Sequence, residues 1–76
     1  MKRLKEVERT LDAKPTLYAA HVITLGPYRL ERRGFQWEVT RGGGHLRFYQ
    51  YLDQAIAFVL ELDEDVDFPD QLQKVY

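Results

Sequence analysis

Three pairs of apolar residues, Tyr28 and Leu30, Trp37 and Val39, Leu46 and Phe48, are each split by one polar residue, and glycine interrupts the run at Gly34 and Gly42–Gly44. Alternation with period two puts each pair on one face of a strand. Glycine between such stretches marks tight turns, so the segment reads as a three-stranded antiparallel meander. With Arg33-Gly34 as the first turn and Gly42-Gly43 as the second, Leu30 opposes Trp37, Tyr28 opposes Val39, Val39 opposes Leu46 and Trp37 opposes Phe48. That register gathers all six apolar residues on one face. It strings Arg29, Glu38 and Arg47 across the other, where opposite charges directly across a pair are favourable.

The rest of the 76-residue chain must supply the cover for that face, and a chain of this length forms one domain, residues 1–76. "KRLKEVERTLDAK" sets Leu4, Val7 and Leu11 on one stripe of a short helix that ends before Pro15. Residues 17–25 are ambiguous between strand and helix. Val22, Ile23 and Thr24 favour a fourth strand, the alanines permit a helix, and Gly26-Pro27 ends either. Leu52, Ala55, Ile56, Val59 and Leu60 form the stripe of a second helix that can lie across the sheet. Beyond it residues 63–76 read as an acidic C-terminal tail with a short turn of helix, in which Phe68, Leu72 and Val75 are docking candidates. The fold expected is therefore α+β: a meander of three strands, or four, packed on one helix, with a short N-terminal helix and an acidic tail.

The run from Tyr28 to Leu62 resembles small strand–strand–helix domains of unknown function from bacteria and phages. The matching residues are Trp37-Glu38-Val39, Gly42–Gly44, Phe48 and Leu52-Asp53-Gln54-Ala55-Ile56-Ala57-Phe58. The resemblance implies a fold and no activity, and Tyr51 stands where those domains place Thr or Ser as a helix cap. In format alone the small chain also resembles phage-encoded inhibitors such as anti-CRISPR proteins.

Composition removes several chemistries. The chain has no cysteine, serine or asparagine, so serine and cysteine nucleophiles, disulfides and cysteine-ligated zinc are excluded. His21 and His45 are the only imidazoles, and no clustered metal-ligand spacing is present. The three consecutive glycines precede His45-Leu46-Arg47-Phe48, a strand pattern, and not the Lys and Ser/Thr of a phosphate loop. No enzymatic activity, cofactor or metal is expected. No apolar run approaches the ~20 residues that span a bilayer, and no signal-peptide pattern follows the N-terminus, so the expected compartment is the cytoplasm.

Charge is the remaining signal. Residues 1–52 carry ten Lys and Arg against five acids, whereas residues 53–76 carry one Lys against seven acids. Glu61, Asp63, Glu64, Asp65, Asp67 and Asp70 crowd near a helix C-terminus, which the helix dipole disfavours. They lack the central glycine of a calcium-binding loop. The leading functional expectation is a non-enzymatic protein-binding module, a phage or mobile-element inhibitor in format. Its acidic tail would meet a basic surface of a host nucleic-acid-handling complex, with Phe68, Leu72 and Tyr76 as apolar anchors.

The alternative is single-stranded nucleic-acid binding on the outer sheet face through Arg29, Arg32, Arg33, His45, Arg47 and Tyr49. A pI of about 6.1 and the inward-facing aromatics argue against it. A homodimeric accessory protein is the third reading, because small cores often draw stability from association.

Overall fold

The computed structural model describes residues 3–76. The fold is α+β, built on one open antiparallel sheet of five strands. Helix α1 (Leu4–Ala13) leads through a 3₁₀ turn (Pro15–Ala19) into β1 (Val22–Leu25), β2 (Tyr28–Arg33), β3 (Gln36–Arg41) and β4 (Gly44–Tyr49). Helix α2 (Leu52–Leu62) then crosses to the short helix α3 (Phe68–Gln71), and β5 (Leu72–Lys74) closes the order β4-β3-β2-β1-β5. Residues 17–25 thus divide between the end of the 3₁₀ turn and a genuine fourth strand. Among the described residues no helix is long and apolar enough to cross a membrane.

One face of the sheet is covered and one is open. Ile23, Leu25, Tyr28, Leu30, Trp37 and Val39 point to the covered face and join Val7, Leu11 and the α2 residues Leu52, Ala55, Ile56, Val59 and Leu60 in one core. These are the helix stripes and strand alternation expected from the sequence. Tyr51 precedes α2 with an extended backbone and no side-chain cap. Asp53, in the first turn, accepts the Gln54 backbone N–H at 2.8 Å and so answers one of the orphan donors there.

Both hairpin registers differ from the sequence expectation, each for a local reason. The first turn is Gly34-Phe35, not Arg33-Gly34. Gly34 takes a φ of +63° at the first central position, which arginine would adopt only with strain. The register slides by two residues, so parity survives but partners change. Leu30 opposes Val39, Arg32 opposes Trp37 and Arg29 opposes Thr40.

The second turn is Gly42-Gly43, both with positive φ as expected, but a bulge between Val39 and Thr40 inserts Leu46 as an unpaired residue on β4. Every residue beyond it changes face. Trp37 opposes Tyr49, Val39 opposes Arg47 and Glu38 opposes Phe48. Leu46 and Phe48 therefore leave the core, Phe48 being 44% exposed. Tyr49 takes the inner place and packs its ring 5.5 Å from Phe58.

The acidic tail is not a tail. Phe68 is 0% exposed and Val66 3%, so the segment after α2 is pinned into the core twice. Leu72 pairs with Leu25 and packs half-buried against the same cluster. The Tyr76 carbonyl then accepts the backbone N–H groups of His21 at 2.6 Å and Val22 at 2.7 Å. Residues 63–76 complete the sheet edge beside β1.

Candidate partner-binding surface

The sheet supplies the first half of the electrostatics. On the open face Glu31 and Glu38 stand directly opposite each other, a like-charge pairing that must be offset. Arg33 bridges them, 3.2 Å from Glu31 and 3.4 Å from Glu38. Arg29 lies 3.8 Å from Glu31, and His45 Nδ1 lies 2.9 Å from Glu38. His45 also stacks obliquely on Phe48, with ring centroids 4.8 Å apart.

The other arginines stand on the covered face, at its rim. Arg32 lies 5.0 Å over the Trp37 ring and donates to the Tyr18 carbonyl. Arg41 lies 5.4 Å over Tyr28, and Arg47 lies 5.3 Å over Tyr49. Each guanidinium thus lies over a buried or half-buried aromatic ring, in reach of a cation–π attraction.

The six residues expected to form one nucleic-acid face are thus divided. Arg29, Arg33 and His45 remain on the outer face, and all three are held by Glu31 and Glu38. Arg32, Arg47 and Tyr49 belong to the opposite side. The bulge at Leu46 moved Arg47 and Tyr49. Arg32 has the parity of Leu30 and was always bound for the covered face.

The acidic segment supplies the second half. Asp63 is half-buried and structural. It receives the Tyr28 hydroxyl at 3.4 Å on one oxygen and the Asp65 backbone N–H at 3.0 Å on the other. The Gln71 side-chain amide donates to the Asp65 carbonyl at 3.1 Å, locking the loop further. Glu64, Asp65, Asp67 and Asp70 are exposed on this rigid rim, and Glu61 is exposed at the end of α2. Among the described residues no ion pair reaches Asp63, Glu64, Asp65, Asp67 or Asp70. Arg3, whose charge acts on Asp67 from a distance, forms a bidentate pair with Glu6 at 2.8 and 2.9 Å.

Crowding within the rim is legible in Asp67. Its carboxyl is held above the usual range, first by a hydrogen bond shared with Asp70 and further by burial and the Asp70 charge. A carboxyl whose folded pKa is raised stabilises the fold when protonated, and that contribution disappears as pH rises through the folded value. Asp67→Asn is therefore expected to raise the thermal midpoint slightly at pH 7 and to leave it unchanged at pH 3, as read by circular dichroism melts.

Of the nine rim residues expected to meet a partner, Phe68 is withdrawn by burial and Leu72 largely so. Tyr76 stays 71% exposed while its backbone is tied to β1. Among the acids, Asp67 shares a hydrogen bond with Asp70, Asp63 holds the Asp65 backbone, and Glu61 and Glu64 line one shallow pocket. Comparison of the chain with known protein families, with curated proteins and with solved structures finds no match.

Proposed function

We propose that the chain is a non-enzymatic protein-binding module that presents its acidic rim to a basic surface of a partner protein. The observation that carries this reading is the division of charge. The five sheet arginines are each engaged, by Glu31 and Glu38 or by an aromatic ring, while the exposed acids after α2 have no ionic partner among the described residues. Exposed acids on a rigid loop need no ordering before they meet a cation, which favours rapid, salt-sensitive association. A surface that holds nucleic acid suits the rim, because carboxylates can occupy phosphate positions. An inhibitor of a nucleic-acid-handling complex fits that chemistry and this size.

The test is the triple reversal Glu64→Lys, Asp65→Lys and Asp67→Lys, which spares the structural Asp63. The immobilised full chain is expected to capture a basic protein from an extract of its native host. Recovery should fall with added salt and vanish for the triple variant. Equal recovery by both chains overturns the reading.

A further inference from the structure

A second feature lies away from the acidic rim, where α1, the 3₁₀ turn and the start of α2 converge on the start of β3. An open cleft of about 560 Å³ is lined there by Glu8, Tyr18, Trp37, Gln50, Tyr51 and Asp53, among others. Its walls hold three aromatic rings and two carboxylates, and among the described residues no lysine or arginine lines it. The rings are not all sealed into the core. Tyr18 is 44% exposed and Tyr51 57%. Trp37 is nearly buried and forms the floor.

We infer that this cleft receives an arginine side chain from a basic segment of a partner protein. A planar guanidinium stacks on aromatic faces and donates in a fork to carboxylates, and this cleft offers both kinds of group together. Lysine, a compact and strongly hydrated ammonium, uses the flat tyrosine faces less well. An anionic ligand would face Glu8 and Asp53 with no lining cation to receive it. The field in the cleft points the same way: burial and then the charges of Asp53, Asp12 and Glu8 push the Tyr18 phenol above its ordinary range. A cation placed beside Tyr18 relieves that crowding of negative charge. Arg32 does not serve, because its guanidinium is held over Trp37 and against the Tyr18 carbonyl at the neighbouring rim.

The cleft, like the rim, calls for a basic partner and rests on that reading, but it uses different residues, so the two can fail separately. The probes are blocked Ala-Arg-Ala and Ala-Lys-Ala peptides, titrated into the isotopically labelled 76-residue chain and followed by amide chemical shifts and Trp37 fluorescence. The arginine peptide is expected to shift Glu8, Tyr18 and residues 50–54 saturably and to bind more tightly than the lysine peptide. Glu8→Gln with Asp53→Asn should weaken it about tenfold, the loss expected when two carboxylate contacts go. The Asp53→Asn change keeps a side-chain oxygen for the Gln54 N–H, and Tyr51→Ala, at an exposed position, provides a second variant that leaves the core intact and should also weaken binding. The rim reversal should leave peptide binding unchanged. Absent or unsaturable shifts, shifts confined to the rim, equal binding of both peptides, or binding indifferent to the Glu8 and Asp53 changes would each overturn the inference. Rim-independent capture with peptide binding intact overturns only the earlier reading.

Discussion

Replacing Phe68 by alanine is expected to remove a large part of the protein's folding stability. Its ring is fully buried, and truncating a buried phenylalanine removes transfer free energy and leaves a cavity, together about 3–5 kcal/mol. A domain of this length has a total stability of roughly 4–11 kcal/mol, so the loss takes a large share of it. The effect also spreads along the chain. Phe68 starts α3, which delivers β5 to the edge of β1, and β5 brings the Tyr76 carbonyl to the His21 and Val22 N–H groups. Urea unfolding followed by circular dichroism measures the difference. A loss below about 1 kcal/mol, close to the ordinary range for a surface position, would mean that the segment after α2 is a loose appendage after all.

The second large effect is expected at Trp37. The indole is 5% exposed, faces Tyr49 across the β3–β4 pair and lies under the Arg32 guanidinium. Trp37→Ala should cost about 3–5 kcal/mol, at the lower end if Arg32 and Tyr49 settle into the gap. Trp37→Phe preserves an aromatic floor and should cost much less, so the pair of variants separates lost volume from lost strand pairing. As the only tryptophan, Trp37 also reports on itself: its fluorescence should resist external quenchers in the folded state and become accessible across the urea transition. Ready quenching of the native protein would contradict an inward indole.

Much of the architecture was visible in the order of residues because its causes are local. The spacing of Leu4, Val7 and Leu11 and of Leu52, Ile56, Val59 and Leu60 describes helix stripes of period 3.6, and both helices form there. Tyr28, Leu30, Trp37 and Val39 share one face because alternation on a strand is geometric. Gly42-Gly43 turns the chain because positive φ at two consecutive residues suits glycine.

The site was less legible. Arginines interleaved with aromatics look alike whether they grip a base or cover a ring. Arg32, Arg41 and Arg47 cover rings, and the signals in the sequence that placed any of them were the parity of Arg32 with Leu30 and of Arg41 with Val39. The cleft had no signal at all, because Glu8, Tyr18 and Asp53 come from three segments that only packing assembles.

The order of amino acids, then, was enough for an α+β domain with a half-covered sheet, since propensity, turn chemistry and hydrophobic period act over a few residues. Two outcomes required the assembled molecule. The Leu46 bulge gives the space beneath α2 to Tyr49 instead of Phe48, a competition between two rings for one volume that no short window contains. The acidic segment became an edge strand because Val66 and Phe68 found room in a core built by residues far away in the chain. Burial is a property of the whole fold, and it made a rim out of what read as a tail.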